Sequence, residues 1–234
     1  MYLKSIIFIL LALLPFTLKA NLMVYPMSVQ VTADKQTNST LKIMSKSDTT
    51  QYIRVVLKEV INPATPEERE QDVANWQGQG IVISPVKFAL PAGSTKTVRV
   101  VALNAPEQER VYRAYFEPVS GDVTGENSAK SVRAQVALTL VWGVLIRQLP
   151  DKPHITLQRV HPQPGITNTG NVRIRLRGYS QCPQHISDDK CTWKAIPQGI
   201  YPGASMALPD IERQKPLRIR YLTEDDKPLS LTLP

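Results

Sequence analysis

The stretch Ser131 to Leu149, SVRAQVALTLVWGVLIRQL, restricts what this chain can fold into more than any other part of it. Val132, Ala134, Val136, Leu138 and Leu140 alternate with Arg133, Gln135, Ala137 and Thr139, the two-residue period of a strand with one buried face. Past Leu140 the alternation gives way to a nearly continuous apolar run of Val141, Trp142, Val144, Leu145 and Ile146, which predicts a second half covered on both faces. Read as one strand it spans roughly 60 Å at ~3.3 Å per residue, far beyond the common strand. Such an element is either a core strand of an all-β domain or an edge kept open for a partner's strand, and the pattern alone leaves both readings standing.

The chain begins with a charged Lys4, an apolar run from Ile6 to Leu14, a breaker at Pro15 and a small residue at Ala20, the layout of a secretory signal peptide. Cleavage after Ala20 is expected although Leu18 stands where a small residue is preferred, so the mature chain starts near Asn21. Its apolar run is too short for a membrane anchor. Export bears on the two cysteines, Cys182 and Cys191, which in an oxidising compartment pair and close a short loop. A metal or nucleophile site built on Cys182, His185 and Cys191 lacks a fourth ligand, because His154 and His161 have no completing spacing. The formal charge of +8 falls to +6 once Lys4 and Lys19 are removed, and no basic run with interleaved aromatics argues for nucleic acid.

Turn signals at short intervals divide residues 21–150 into about seven strands, the pattern of an immunoglobulin-like sandwich. They are Leu22 to Val31, Thr40 to Ser45, Gln51 to Ile61, Ile81 to Ser84, Lys87 to Leu90, Thr97 to Leu103 and Val111 to Val119, followed by the long strand. Pro26 inside the first marks an edge or a switch between sheets. Asn62 to Asp72, NPATPEEREQD, reads as a charged loop with at most a helical turn. Pro91-Ala92-Gly93-Ser94 is a turn whose glycine takes positive φ. QLPDKP at 148–153 reads as a stiff boundary. Residues 151–234 then form a smaller sandwich, with Ile155 to His161, Asn171 to Tyr179, Leu217 to Leu222 and Leu229 to Leu233 as strands. In NVRIRLRGY, Val172, Ile174 and Leu176 alternate with Arg173, Arg175 and Arg177, giving one buried and one basic face. No nucleophile elbow, phosphate loop or metal spacing appears, so neither an enzyme nor a cofactor is expected.

Taken in order, NLMVYP (21–26), QYIRVVLKEVINPATPEE (51–68), NWQGQGIVISPVKFALPAGSTKTVRV (75–100), VYRAYFEPV (111–119), LIRQLP (145–150) and GNVR (170–173) resemble the periplasmic chaperones of fimbrial assembly. They are most similar to the alternate branch serving class 5, or colonisation-factor, fimbriae. The resemblance covers the first domain throughout and the second through GNVR, the cysteine pair and Ile200-Tyr201-Pro202.

It implies two immunoglobulin-like domains set in an L, a periplasmic location, and fimbrial subunits and an outer-membrane usher as partners. The chaperone lends its long strand to a subunit whose own sandwich lacks one, so the donated face is Val132, Ala134, Val136, Leu138 and Leu140. An ion cluster joining the domains maps onto Glu117, Arg147 and Asp225, with Glu224 as an alternative to Asp225, and Arg99 maps onto a structural arginine. The better-known branch binds the subunit's terminal carboxylate with a lysine low on the long strand. That position falls at or near Gly143, and residues 21–33 contain no basic residue, which leaves Arg54, Arg113 or backbone amides for the task. An uncovered apolar edge also favours dimerisation of the free protein. The competing readings are a two-domain fimbrial subunit or adhesin and a secreted carbohydrate-binding sandwich. The first would carry an N-terminal donor extension, and the second a cluster of aromatics where Trp76, Trp142 and Trp193 are instead dispersed.

Overall fold

The computed structural model describes residues 21–33, 39–73, 78–119, 140–160, 162–183, 185–212, 214–223 and 226–234. Ahead of residue 149 the strands are β1 (Leu22–Tyr25), β2 (Ser28–Val31), β3 (Ser39–Ser45), β4 (Gln51–Ile61), β5 (Arg69–Asp72), β6 (Ile81–Ser84), β7 (Lys87–Leu90), β8 (Thr95–Ala102), β9 (Arg110–Val119) and β10 (Trp142–Gln148). They form a four-stranded sheet, β1-β3-β8-β6, and a six-stranded one, β2-β10-β9-β4-β5 with β7 also on β4. The inward positions alternate as the sequence does. Leu41 and Ile43 of β3 and Val98 and Val100 of β8 meet Ile53, Val55, Ala114, Phe116, Val144 and Ile146 of the facing sheet in one buried cluster.

Pro26 marks a switch. The chain pairs with β3 through Tyr25 and then, from Ser28, runs parallel to β10 in the other sheet. A residue with no amide to donate sits where neither ladder needs one. The turn at Pro91 to Ser94 closes with the Ser94 amide donating to the Pro91 carbonyl, and Gly93 has φ of 64°.

Two expectations need correction. Among the described residues the long strand begins only at Trp142; Leu140 and Val141 precede it outside any ladder and are 45% and 46% exposed. Residues 131–139, with most of the alternating segment, lie outside the described residues. The apolar run is therefore covered on both faces only in part: Val144 and Ile146 enter the sandwich, and Leu145 faces out against Val60, Val111 and Tyr201. Secondly, the charged loop at 62–72 contains a strand, β5, paired with β4 from Lys58 to Ile61. All four of its side chains are exposed, so it carries no apolar period to read.

The second half has a three-stranded sheet, β11 (Leu157–Arg159), β12 (Gly165–Asn168) and β16 (Ser205–Ala207). A five-stranded sheet faces it, with β13 (Ile174–Ser180), β14 (Lys194–Ala195), β15 (Gly199–Ile200), β17 (Leu217–Leu222) and β18 (Pro228–Leu233). Leu157, Ile166, Ile174, Leu176, Leu217 and Ile219 fill the space between them. Cys182 and Cys191 are bonded at 2.07 Å across a loop that includes a 3-10 turn, Asp188–Lys190. Closing a loop this short contributes about 2–3 kcal/mol.

Candidate functional site

Register in the six-stranded sheet fixes which side chains share its outer face. Val119, Glu117, Tyr115, Arg113 and Val111 of β9 lie opposite Tyr52, Arg54, Val56, Lys58 and Val60 of β4, and Gly143, Leu145 and Arg147 of β10 lie opposite Tyr115, Arg113 and Val111. Three zones follow along the strands. At one end Val60, Val111 and Leu145 pack against Tyr201 of the second half. Charges crowd the middle. At the far end Tyr52, Phe88, Ala89 and Val119 line an apolar cavity of about 450 Å³.

The junction between the halves rests on Glu109, in the approach to β9. Its carboxylate accepts two bonds from Arg147, from Nε to Oε1 at 2.5 Å and from Nη2 to Oε2 at 2.8 Å, with side-chain exposures of 0% and 1%. Oε2 also accepts the Arg173 backbone N–H at 2.6 Å, and the Glu109 N–H donates to the Asn171 carbonyl at 2.8 Å. Asn171 in turn donates to the carbonyls of Lys152 and Glu107 and accepts the His154 N–H. A bidentate arginine–carboxylate pair is among the stronger charge-assisted contacts, and a buried carboxylate needs its remaining lone pairs filled. The GNVR turn supplies that amide from across the junction.

This corrects the ion cluster. Glu117 is not part of it: Arg147 lies opposite Val111, so Glu117 sits six residues further along β9, about 20 Å away at ~3.3 Å per residue. Glu117 instead accepts Nη2 of Arg54 at 2.7 Å on the exposed sheet face. Asp225 lies outside the described residues; its neighbour Asp226 accepts Nη1 of Arg175 at 2.8 Å. Arg99 lies apart from these ion pairs among the described residues. It stands exposed on β8, opposite Thr40 and Ser84, and no ion pair among the described residues includes it. Of the donated face, Val132, Ala134, Val136 and Leu138 fall outside the described residues, and Leu140 is exposed.

Over Gly143 the neighbouring strand folds a cation. A Cβ at that position would lie 3.2 Å from Cε1 of Tyr115 and 3.4 Å from Cδ of Arg113, so the missing side chain leaves room for both. Arg113 donates to Glu70, and to Glu68 at 3.2 Å, while the Tyr115 hydroxyl donates to Glu70 at 2.6 Å. Burial works against the charged form of Arg113, but its bonds to Tyr115, Glu68 and Glu70 outweigh this and hold its pKa above the ordinary arginine value. The Ala64 N–H is the main cause of a lowered Glu68 pKa, with Arg113 adding to it. Tyr115 is raised by burial and by Glu70. Sequence reading missed Glu68, Glu70 and Glu109. For β5 the available signal was charge complementarity, Glu70 and Asp72 against Arg113 and Lys58.

No family model matches the chain. Two curated proteins of Escherichia coli, both named as fimbrial subunits, are similar to it: that of CFA/I fimbriae is 39% identical over 207 residues (85% of each chain), and that of CS1 fimbriae is 37% identical over 204 residues (85% of this chain, 84% of that one). Among solved structures, that of the class 5 fimbriae chaperone CfaA matches with a TM-score of 0.76 and 31% identity, over 92% of this chain and 99% of that one. A chain of the chaperone–tip adhesin complex of CFA/I fimbriae matches at 0.75 and 33%, with the same coverage. The two sandwiches and their similarity to these structures define a two-domain, immunoglobulin-like chaperone of fimbrial assembly. Within that class, the chain belongs to the class 5 fimbrial chaperones.

Proposed function

We propose that this protein works in the periplasm after removal of residues 1–20, with domains at 21–150 and 151–234, holding fimbrial subunits by strand donation and passing them to an outer-membrane usher. The observation that carries this reading is the two-part character of β10 and its approach. Val144 and Ile146 seat the strand in its own sandwich, while Leu140 and Val141 just ahead of it offer apolar side chains to no partner in the ladder. A strand continuing upstream would present Val132, Ala134, Val136, Leu138 and Leu140 at alternate positions to an incomplete sandwich, with backbone bonds giving affinity and side chains giving register. The solved complex of a related chain with a tip adhesin supports a fimbrial subunit as the client.

Arg113 is the cation best placed for the subunit's terminal carboxylate. It lies against Gly143, whereas Arg54 stands further along the sheet, held by Glu117. An incoming carboxylate would take over from Glu68 or Glu70, which hold Arg113 ready on the partly exposed face. Glu109 and Arg147, with an acid of the 223–226 turn such as Asp225, would keep the domain angle that presents this face. The chemistry required is pairing and exchange of strands, with no catalytic group or cofactor. Each half has its own buried core, which favours a chaperone over an incomplete fimbrial subunit.

Co-expression with its cognate fimbrial subunit is expected to yield a soluble one-to-one periplasmic complex, with the subunit degraded or aggregated when expressed alone. A subunit equally soluble and protease-resistant without this protein would refute the proposal.

A further inference from the structure

The Cys182–Cys191 disulfide borders a cavity of about 310 Å³ whose walls include Tyr179, Pro183, Lys190, Lys194 and Ile211. Behind it lies Arg218 of β17, only 7% exposed. Nη2 of Arg218 donates to the Pro183 carbonyl at 2.8 Å; Nη1 donates to Oδ1 of Asp188 at 2.7 Å and lies 3.6 Å from Sγ of Cys191. The loop is fastened a second time by Arg220, which donates to the Asp188 carbonyl at 2.8 Å and stacks 3.8 Å from the centre of the Trp193 ring. The Trp193 indole N–H reaches the same carbonyl at 2.8 Å. Apart from the approach of Arg218 to Cys191, none of these contacts involves sulfur, so the loop has grounds to stay in place when the S–S bond is absent.

A cation in contact with one sulfur stabilises that sulfur as thiolate. Charges of both signs surround the pair. Arg218, Arg220, Lys190 and Lys194 face the loop against Asp188, Asp189 and Asp210, and His185 lies within the loop itself. Asp188 is shared between the two arginines, and Asp210 is held by Lys194 at 3.1 Å. The Ser187 carbonyl, 3.5 Å from Cys191 Sγ, favours the protonated thiol, but a carbonyl dipole opposes a full guanidinium charge at similar range. The balance at Cys191 is positive, while Cys182 has no cation at comparable distance among the described contacts.

We propose that Cys182–Cys191 is a reversible thiol–disulfide exchange site for a dithiol reductant, in which Arg218 keeps Cys191 as the thiolate and the docked loop survives reduction. A reductant thiolate attacks one sulfur, forming a mixed disulfide and expelling the other cysteine as thiolate. The reductant's second thiol then displaces the protein sulfur, and the reductant leaves as its own disulfide. Two electrons reach the protein; Cys182 takes one of the dithiol's two protons, and the other goes to solvent because Cys191 stays ionised.

The test follows iodoacetamide alkylation of Cys191 against pH in the full chain carrying Cys182→Ser, with the Trp193 indole N–H resonance of the dithiothreitol-reduced wild type read in parallel. The alkylation midpoint is expected at least about one pH unit below the ~8.5 of an ordinary cysteine. It should rise toward that value in Arg218→Gln and stay low in Arg218→Lys, which keeps the charge if the glutamine variant fails to fold. The indole resonance should survive reduction. An ordinary midpoint with Arg218 present, a lysine variant no lower than ordinary, or loss of the indole resonance on reduction overturns the proposal.

Discussion

Glu109 and Arg147 form a bidentate pair that solvent scarcely reaches, and the same carboxylate holds the Arg173 amide of the second half. Among the described residues, the acid that meets Arg147 at the junction is one that precedes β9 rather than one within it. Removing this acid takes two charge-assisted hydrogen bonds from a buried guanidinium. Glu109→Ala is expected to cost about 3–5 kcal/mol, as for buried pairs broken on one side. Glu117→Ala, which breaks only the exposed pair with Arg54, is expected to cost about 1 kcal/mol or less. Urea unfolding of the two variants side by side measures the contrast; equal losses would place the structural acid at Glu117 after all.

Tyr112 gives the fold an alkaline limit. Its hydroxyl donates to Oε1 of Gln148 at 3.1 Å inside the first sandwich, and burial pushes its pKa up to about 12. Folding therefore favours the protonated phenol. Its contribution is complete below the unfolded tyrosine value of ~10 and is lost as pH rises from there through about 12. Ultraviolet titration should show one tyrosine ionising well after the exposed ones, and Tyr112→Phe should remove that step.

Arg113 and Gly143 make a paired prediction about capture. Arg113→Ala is expected to weaken subunit binding by about tenfold or more, the worth of a hydrogen bond to a charged group. It should leave urea stability within about 1 kcal/mol, because its partners are partly exposed. Gly143→Ala pushes a methyl to 3.2 Å from Tyr115 and should displace the cation, weakening capture less than Arg113→Ala does. Equilibrium binding to the refolded subunit measures both. Unchanged affinity in Arg113→Ala would assign the carboxylate to backbone amides.

Much of the framework was readable from the residues because strands declare themselves by period. Gln51–Ile61, Ile81–Ser84, Lys87–Leu90 and Leu217–Leu222 have the predicted limits, and Pro26 stands at a change of sheet. The failures share a physical cause. β5 has no buried face, since what holds it are ladder bonds and charges contributed by β4 and β9, which leave no apolar period in its own residues. Glu117 follows from the resemblance by position alone, whereas the three-dimensional register decides which acid reaches Arg147. Leu145 looked like sandwich core, yet it faces Tyr201 in a contact that only the meeting of two domains creates.

Leu138→Glu in a subunit-capture experiment distinguishes a segment ahead of β10 that is lent to a client from one that is ordinary core. The variant is expected to match the wild type in circular dichroism and urea midpoint while forming no complex with the subunit. A variant that unfolds, or one that still captures the subunit at wild-type affinity, would rule out strand donation from this segment.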